Sequence, residues 1–309
     1  MSYKLLSYQQ GPHPRAGLLV DERVHDAGHV TGESAFTSVM GIVNHWQRAQ
    51  PLLLAAVDSI RAEKHGAGQS LADVKLLAPL LYPGAIYGAG ANYLDHIREM
   101  ERAHNLPEGP TMKEMGETPW HFIKSSRSTI RGPGDVVKLP AFSKTVDWEI
   151  ELVAVIGRTA RKVSVASALD YVAGYTIAND LSARDAMLRA KNPPSSPFRF
   201  DWVAHKSFDG SCPIGPWITP ASDMGDPHKL GLKLWIDGEL MQDSNTDQMV
   251  FDVAEQVAAI SSRVTLHPGD IILTGTPAGV GMPRKVFLKP GQTVRLWIEK
   301  IGEMEHRLS

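Results

Sequence analysis

Along the first 31 residues, apolar positions cluster in short runs, and from about residue 33 they take a helical spacing. YKLLSY and AGLLV have the apolar, turn-bounded character of short strands. SAFTSVMGIVNHWQRA and PLLLAAVDSIRAEKHG have apolar positions three and four residues apart, which predicts two helices, and Pro51 fits the first turn of the second. No cluster of catalytic residue types occurs before residue 80. We therefore predict a small α+β N-terminal domain, residues 1–80.

Beyond residue 80 the pattern is mainly that of strands separated by turns and polar loops. GAIYGAGANYLDHIREM predicts a strand, a glycine turn and a helix, whereas TVDWEIELVAVIG and YTIAND predict strands. LKLWIDGELMQD predicts a hairpin with Asp237 and Gly238 in a type I′ turn. FDVAEQVAAISSRV predicts an amphipathic helix. Since the strands are numerous and show no regular βαβ alternation, we predict an α+β, β-rich fold for residues 81–309.

Three acidic residues alternate within one predicted strand, at the centre of TVDWEIELVAVIG. In an extended strand Asp147, Glu149 and Glu151 share one face, and the Cα atoms of the two glutamates are roughly 7 Å apart. The strand continues as ELVAVIG, which favours a central position covered on both faces. Burying ionised carboxylates there is costly unless a cation compensates their charge. The alternative is an edge strand whose acidic face lies in water.

A further acid, Asp180, ends the second apolar strand, YTIAND, and Arg184 follows it closely. Three carboxylates from two strands, those of Glu149, Glu151 and Asp180, can converge on one cation. Their oxygen-only ligand set predicts Mg²⁺ or Mn²⁺ rather than zinc.

A histidine and a glutamate lie three residues apart in the predicted helix of NYLDHIREM, for which Asn92 is a suitable N-cap. His96 and Glu99 therefore share a helix face. The imidazole could deprotonate a water molecule while the carboxylate orients the ring. The alternative is an ordinary surface pair.

The turn before this helix resembles the beginning of a dinucleotide-binding fingerprint. Gly88 and Gly90 are present in IYGAGANY, but Tyr93 replaces the third glycine. No strand ending in an acidic residue follows at the expected distance, so the sequence argues against a dinucleotide site.

Composition narrows the class of protein further. The 309 residues are 43% hydrophobic with a formal net charge of -2, and no basic stripe indicates a nucleic-acid partner. The apolar runs are too short or too broken to span a membrane. Cys212 is the single cysteine, which excludes an intrachain disulfide and a cysteine-based zinc site. MSYKLLSYQQ lacks the pattern of a secretory signal, so we expect a cytoplasmic protein.

Taken together, these stretches resemble the fumarylacetoacetate hydrolase family. The matching segments are GANYLDHIREM, FIKSS, TVDWEIELVAVIGR, GYTIANDLSARD, KSFDGSCPIGPWI, NTDQMVFDV and LHPGDIILTGTPAGVG. The resemblance implies a mixed β-sandwich roll with a smaller N-terminal domain, usually assembled as a homodimer. It implies a divalent metal held by Glu149, Glu151 and Asp180, and a water-activating pair formed by His96 and Glu99.

The resemblance also implies roles for four further residues. Lys206 of HKSFD is expected to contact the oxygens of the substrate, and Arg184, Gln242 and Thr276 are expected to line the pocket. Considered locally, a lysine in an apolar stretch such as that of Lys206 is more commonly a residue at the edge of the core with a buried aliphatic stem. The TGTP segment that contains Thr276 is equally typical of a turn that ends a strand.

The function implied is that of a metal-dependent hydrolase that cleaves a C–C bond of a 2,4-dioxo acid, an acylpyruvate or fumarylpyruvate of the kind met in aromatic catabolism. The products would be a pyruvate-type acid and a carboxylic acid. The same enolate chemistry supports decarboxylation of an oxaloacetate-like acid, hydration or isomerisation. A catalytically silent metal-binding protein is the alternative outside enzymes.

The polar segments 102–118 and 192–197 look longer than in compact family members and should border the mouth of the site. The identity of the acyl group of the substrate therefore does not follow from the family.

Overall fold

The computed structural model describes residues 3–309, and strands contribute more of them than helices. The strands are β1 (Lys4–Gln10), β2 (His13–Val20), β3 (Arg23–Asp26), β4 (Gln69–Ser70), β5 (Leu76–Leu77), β6 (Ile86–Ala89), β7 (His121–Lys124), β8 (Ile130–Arg131), β9 (Val136–Val137), β10 (Val146–Asp147), β11 (Ile150–Ile156), β12 (Val172–Asn179), β13 (Ser182–Ala183), β14 (Cys212–Pro220), β15 (Gly231–Ile236), β16 (Glu239–Asn245), β17 (Ile271–Leu273), β18 (Thr293–Ile298) and β19 (Gly302–Leu308).

The helices are mostly short. They are α1 (Ala27–Thr31), α2 (Val39–Asn44), α3 (Trp46–Arg61), α4 (Leu94–Ala103), α5 (Val165–Ala168), α6 (Trp202–Lys206), α7 (Ala221–Met224), α8 (Val253–Arg263) and α9 (Gly281–Arg284). Single turns of 3₁₀ helix occur at Ser34–Thr37, Leu71–Asp73, Leu169–Tyr171, Arg184–Ala186, Pro197–Arg199 and Thr246–Gln248. Within residues 3–309, no helix has the length and apolar character needed to cross a bilayer.

Most strands belong to two sheets. The larger sheet has the order β4-β3-β2-β1-β14-β12-β11-β17-β6-β7, with β5 also pairing with β1 and β8 with β14. The smaller sheet has the order β16-β15-β18-β19-β9, and β10 and β13 form a separate pair. Two packed sheets with helices around them are the predicted α+β, β-rich arrangement.

The central strand β11 is covered on both faces, as its apolar sequence predicts. Leu152 packs into a core shared with the smaller sheet, to which Leu234 belongs. Val153 and Val155 face the opposite way, into a core that includes Leu53 of α3. Because β11 also lies between β12 and β17, an edge strand with a wet acidic face is ruled out.

The N-terminal segment is joined directly to the rest of the fold. β1 pairs antiparallel with β14, with Leu5 opposite Ile218, so the larger sheet runs without interruption across the predicted boundary. The predicted boundary at residue 80 therefore does not separate two sheets. That residues 1–80 form a folding unit of their own stays a prediction.

The predicted strand TVDWEIELVAVIG is broken in the structure. β10 ends at Asp147 and pairs with β13, whereas β11 begins at Ile150 and pairs with β12. The indole of Trp148 is fully buried between them and donates from Nε1 to the carbonyl of Gly279 at 3.1 Å. The predicted alternation of faces nevertheless holds across the break. Val146, Trp148, Ile150 and Leu152 belong to one core, and Asp147 and Glu149 both contact Arg184 on the other side.

The helix predicted to begin at Pro51 begins earlier, so that expectation was wrong. α3 starts at Trp46, after a break at His45, and Pro51 lies inside it. Proline in a helix interior removes one backbone hydrogen bond. Burial of Trp46, Leu53 and other apolar side chains of α3 in the core compensates that loss.

Two other local predictions are confirmed. The hairpin of β15 and β16 turns at Asp237 and Gly238, whose φ angles of 50° and 86° are those of a type I′ turn. The amphipathic helix is α8, whose N-terminus carries a capping box between Asp252 and Glu255.

Candidate active site

Three carboxylates meet where two central strands are paired. Glu149 precedes β11, Glu151 is its second residue, and Asp180 directly follows β12. The strands are antiparallel with Ile150 opposite Asn179, so the start of one lies beside the end of the other. One oxygen from each carboxylate lies within 4.8 Å of the other two, and all three residues are buried. The convergence predicted from the sequence is therefore present.

Two buried lysines compensate part of this negative charge. Nζ of Lys206 donates to Oε2 of Glu149 and to Oδ2 of Asp180, each at 2.6 Å. Nζ of Lys124, from β7, donates to Oδ1 of Asp180 at 2.5 Å. Lys206 also lies 5.0 Å above the ring of Phe122. Lys206 is thus a member of the charged cluster rather than a snorkelling residue at the core edge.

The third acid of the alternating run, Asp147, serves to anchor an arginine. Arg184 donates to Oδ2 of Asp147 at 2.9 Å and to Oε1 of Glu149 at 2.7 Å. Asp147 also accepts the backbone N–H groups of Gly281 and Met282, at 2.6 and 3.0 Å. These contacts fix the guanidinium beside the triad, and its two anionic partners raise its pKa despite burial.

The pKa values of the two glutamates of the triad are shifted in opposite directions. Burial acts to raise the pKa of Glu149, but Lys206 and Arg184 outweigh it and hold that pKa far below its usual range. Burial also raises the pKa of Glu151, and the neighbouring carboxylates of Asp180 and Glu149 raise it further. Burial lowers the pKa of Lys206, yet the same anions outweigh it and the net shift is upward.

This charge distribution fits a divalent cation. Glu151 forms no ion pair with any residue between 3 and 309. The charge of Lys206 and the N–H of Gly275 compensate only part of the burial and of the repulsion from Asp180 and Glu149, so the net shift of its pKa is upward. A hard cation bound to oxygens of Glu149, Glu151 and Asp180 would supply that compensation and displace the proton. The donor set therefore suits a metal such as Mg²⁺ or Mn²⁺.

The predicted histidine–glutamate pair forms on α4. Nδ1 of His96 lies 3.4 Å from Oε2 of Glu99, and both side chains are largely buried. Glu99 also accepts the backbone N–H of Gly279, at 3.0 Å. Burial would raise the pKa of Glu99, but the hydrogen bonds from His96 and Gly279 outweigh it and lower that pKa. Glu99 is therefore an ionised partner that orients His96.

Asn92 does not cap this helix, contrary to the prediction. The N-cap position is Tyr93, and α4 begins at Leu94. The buried amide of Asn92 instead donates to the carbonyls of Phe251 and Thr274 at 2.9 and 2.8 Å, and accepts the N–H of Phe251. Asn92 therefore links its own segment to two others that are far away in the sequence. Such a role cannot be inferred from the local spacing of residues.

A glycine-rich segment after β17, residues 274–282, forms a loop and the start of α9. Four of its backbone N–H groups donate to acidic side chains. The pairs are Gly275 with Glu151 at 2.6 Å, Ala278 with Asp95 at 3.2 Å, Gly279 with Glu99 at 3.0 Å, and Gly281 with Asp147 at 2.6 Å. One segment therefore positions Glu151 of the triad together with Glu99, the partner of His96. Sequence reasoning treated this loop as a turn and missed that role.

These residues surround a cavity of about 140 Å³. The predicted site residues that line it are His96, Glu149, Arg184, Lys206 and Thr276. The other four lie behind them: Asp180 bonded to Lys206, Glu99 to His96, Glu151 to the N–H of Gly275, and Gln242 to Thr276. The fully buried Gln242 supports the wall rather than lining the cavity.

Residues 85–309 match the family model of the fumarylacetoacetate hydrolase C-terminal domain. This chain belongs to the fumarylacetoacetate hydrolase family. The matched region contains all nine predicted site residues, and the resemblance stated from the sequence is confirmed.

Relatives within the family perform several reactions. The chain is 35% identical to the mitochondrial oxaloacetate tautomerase of Xenopus laevis over 312 residues, covering 99% of this chain and 90% of the relative. It superimposes on maleylpyruvate hydrolase from Sphingobium sp. SYK-6, solved with manganese(II) and pyruvate, with a TM-score of 0.74 and 30% identity, covering 99% and 98% of the two chains. For 2-hydroxyhepta-2,4-diene-1,7-dioate isomerase from Mycobacterium marinum the TM-score is 0.71 and the identity 31%, with 99% and 98% covered.

Several residues of this family member border the site without having been singled out from the sequence, among them Lys124, Trp120 and Trp202. Lys124 could have been found as a lone lysine within the apolar strand HFIK. Trp120 and Trp202, which line the cavity, lie at the ends of polar loops and carry no periodic signal. Trp120 also lines a larger, apolar cavity of about 570 Å³, and none of the nine predicted residues borders that cavity.

Proposed function

We propose that this protein is a metal-dependent hydrolase that cleaves the C–C bond between C3 and C4 of a 2,4-dioxo acid. The observation that carries the proposal is that His96, held by Glu99, lines the same small cavity as Glu149 and Lys206. The cavity thus combines a base, a cation site and a fixed ammonium group, which this chemistry needs.

The buried triad would hold Mg²⁺ or Mn²⁺ through Glu149, Glu151 and Asp180. When bound, such a cation would supply Lewis-acid stabilisation of the oxygens of a 2-oxo acid. The ammonium of Lys206 and the guanidinium of Arg184 place two cationic groups in the cavity wall, beside the carboxylate of Glu149 with which both are paired. They bind the carboxylate end of the substrate and favour the negative charge that develops when the C–C bond breaks.

His96 provides the proton transfer. Glu99 occupies Nδ1, so Nε2 is the nitrogen that accepts a proton from water as the oxygen attacks C4. The bond between C3 and C4 then breaks and its electron pair forms the enolate of a pyruvate-type acid. C4 becomes the carboxylic acid, and protonation of C3 by the imidazolium completes the reaction and restores neutral His96.

The experiment is to incubate the purified protein with Mn²⁺ or Mg²⁺ and acetylpyruvate. We expect the ultraviolet absorbance of the diketone to disappear and one equivalent each of pyruvate and acetate to form. A chelator should stop the reaction. Loss of the absorbance without pyruvate formation, or no loss with either metal, would refute hydrolysis.

A second candidate is the interconversion of the enol and keto forms of oxaloacetate. It is favoured by the 35% identity to a tautomerase over 99% of the chain. His96 would then move a proton to or from C3, and no water would attack. A spectroscopic assay that starts from enol-oxaloacetate separates the two, because tautomerisation consumes the enol and releases no pyruvate.

We also propose a homodimer. β7 is an edge strand of the larger sheet, and its Ile123 is 62% exposed. Nearby on α6, Val203 is 72% exposed. An uncovered apolar edge favours pairing with another chain. Light scattering should give twice the monomer mass of 33.8 kDa, and Ile123→Glu should give the monomer.

A further inference from the structure

Two tryptophans line the catalytic cavity, and each lies at the end of a polar loop. Trp120 ends the loop that precedes β7, and Trp202 is the first residue of α6, directly after the second loop. Their ring centroids are 4.8 Å apart at an interplanar angle of 54°. Phe122 packs against both, with centroid distances of 5.9 Å to Trp120 and 5.8 Å to Trp202. We call these three residues the aromatic wall.

The aromatic wall and the charged part of the site line one cavity, and they touch at one point, where Nζ of Lys206 lies 5.0 Å above the ring of Phe122. The three aromatic residues and His96, Glu149 and Lys206 line the same volume of about 140 Å³. A 2-oxo acid whose carboxylate end meets the charged residues must therefore direct its other end elsewhere in the lining. The aromatic wall supplies the large apolar side chains of that lining, whose other apolar side chains are those of Ala89, Ala91 and Met187.

Two glycines make room for the aromatic wall. A Cβ at Gly90 would come within 2.5 Å of a ring carbon of Trp120, and a Cβ at Gly88 within 2.3 Å of Cζ of Phe122. Since real Cβ atoms do not approach this closely, the GAG sequence before α4 is required by these rings. The resemblance to a dinucleotide fingerprint thus has a packing explanation.

The cavity lining offers no free cation to a second carboxylate. Within residues 3–309, its lysine and arginine are Lys206 and Arg184, and both are already bonded to carboxylates. His205 places Nδ1 2.9 Å from the carbonyl of Ala183. Burial and the neighbouring Lys206 lower the pKa of His205 to about 4, so it is neutral at physiological pH. An anionic distal group would lie against aromatic rings, and the ammonium above the Phe122 ring, that of Lys206, is already paired with Glu149 and Asp180.

We propose that the aromatic wall is a binding subsite for a neutral, apolar distal group of the substrate. This inference rests on the proposed binding of 2-oxo acids and narrows it to acids with an alkyl or similar uncharged chain. Acylpyruvates with a neutral acyl group are then preferred over dicarboxylic acids such as oxaloacetate or fumarylpyruvate.

The test uses three unreactive 2-oxo acids and the metal-loaded protein. Pyruvate probes the charged end alone, 2-oxopentanoate adds a propyl chain in place of the methyl group, and 2-oxoglutarate replaces the terminal methyl of that chain by a carboxylate. Dissociation constants are measured by calorimetry with Mn²⁺ present, so the test does not depend on turnover. We expect 2-oxopentanoate to bind about tenfold more tightly than pyruvate and than 2-oxoglutarate.

Substitutions locate the effect. Trp202→Ala should remove the advantage of 2-oxopentanoate and leave the affinity for pyruvate within about twofold. Trp202→Lys should reverse the preference towards 2-oxoglutarate, because it adds the missing cation. Trp235→Ala removes an indole that stacks on Arg295 in the smaller sheet and should change none of the affinities.

The outcomes separate the two proposals. If none of the three acids binds with metal present, the proposed function fails. If pyruvate binds but 2-oxoglutarate binds as tightly as 2-oxopentanoate, the 2-oxo acid site stands and the apolar subsite is wrong. The subsite is also wrong if Trp202→Ala, shown to be folded by circular dichroism, keeps the wild-type preference.

Discussion

Lys124 and Asp180 form a fully buried ion pair, with Nζ 2.5 Å from Oδ1. The lysine comes from the edge strand β7 and the aspartate from the end of the central strand β12. The pair therefore ties the outer part of the larger sheet to the triad. It also supplies positive charge to the triad when no divalent cation is bound.

Removal of this lysine should destabilise the metal-free protein. Lys124→Met leaves Asp180 buried with one cation fewer, and breaking a buried pair typically costs about 3–5 kcal/mol. Bound Mn²⁺ should restore part of that loss, because it replaces the missing charge. Urea unfolding with and without Mn²⁺ measures both effects.

An exposed ion pair provides the matched control for that substitution. Lys113, whose side chain is 49% exposed, pairs with Glu255 at 2.7 Å. Lys113→Met should cost less than about 1 kcal/mol and should respond to Mn²⁺ as the wild type does. Equal losses in the two variants would show that burial of the Lys124 pair has no special importance.

Removal of the carboxylate behind His96 should reduce turnover far more than binding. Glu99→Gln preserves size but not the charge that stabilises protonated His96. We expect kcat to fall about 10²- to 10⁴-fold with little change in KM or metal affinity, and His96→Ala to do the same. Steady-state kinetics on acetylpyruvate and calorimetric metal titration measure these quantities.

The control for Glu99 lies on the same helix. Glu101 pairs with Arg98 at 2.8 Å and accepts the N–H of Gly109, outside the catalytic cavity. Glu101→Gln should retain wild-type kcat. Undiminished turnover in His96→Ala would eliminate the pair as the proton-transfer group.

The residues that could be predicted from the sequence are those whose signal is local. Glu149 and Glu151 stand out because acids in an apolar strand need compensation, and His96 and Glu99 because helical periodicity brings them together. The β-rich class and the central position of β11 follow from the same patterns. None of these inferences required knowledge of a distant contact.

The residues that could not be predicted act through contacts between distant segments. The N–H of Gly279 bonds to Glu99 across 180 positions, and Asn92 bonds to Phe251 across 159. Strand pattern and spacing carry no information about such pairings, because many partners would satisfy each group equally well.

Gly279 should tolerate no side chain. Its φ is 101°, and a Cβ there would lie 2.2 Å from the carbonyl oxygen of Met241. Gly279→Ala should therefore destabilise the protein by more than the roughly 1–3 kcal/mol expected from φ alone, and should lower kcat because relief of the clash shifts the backbone N–H of residue 279 away from Glu99. Gly291, with φ 91° and open space around its Cβ position, isolates the conformational cost. Similar stability of Gly279→Ala and Gly291→Ala would show that the contact with Met241 relaxes freely.

Acid should destabilise the fold through buried neutral histidines, among them His306 of β19. Its Nε2 accepts a hydrogen bond from Nδ2 of Asn179 at 2.9 Å, and Asn179 in turn accepts the N–H of Glu149. Burial lowers the pKa of His306 from 6.5 to about 4. Protonation would therefore place a donor against the amide donor of Asn179 and disturb the link to the triad.

The sign of the pH dependence follows from the two pKa values. Above pH 6.5, His306 is neutral in both the folded and the unfolded state, and its full contribution to stability is present. Between pH 6.5 and about 4, mainly the unfolded state binds the proton, so the free energy of unfolding falls as pH falls. From pH 7 to pH 5 this one residue should account for a loss of about 2 kcal/mol.

His306→Gln keeps an acceptor for Asn179 and removes the titration. Urea unfolding at pH 7 and pH 5 should show a loss of stability about 2 kcal/mol smaller in this variant than in the wild type. His13→Gln replaces an exposed histidine on β2 and should leave the wild-type loss unchanged. The two variants share the same change in composition, so only burial distinguishes them. If both lose stability to the same extent as the wild type, protonation of His306 does not limit the acid stability of this fold.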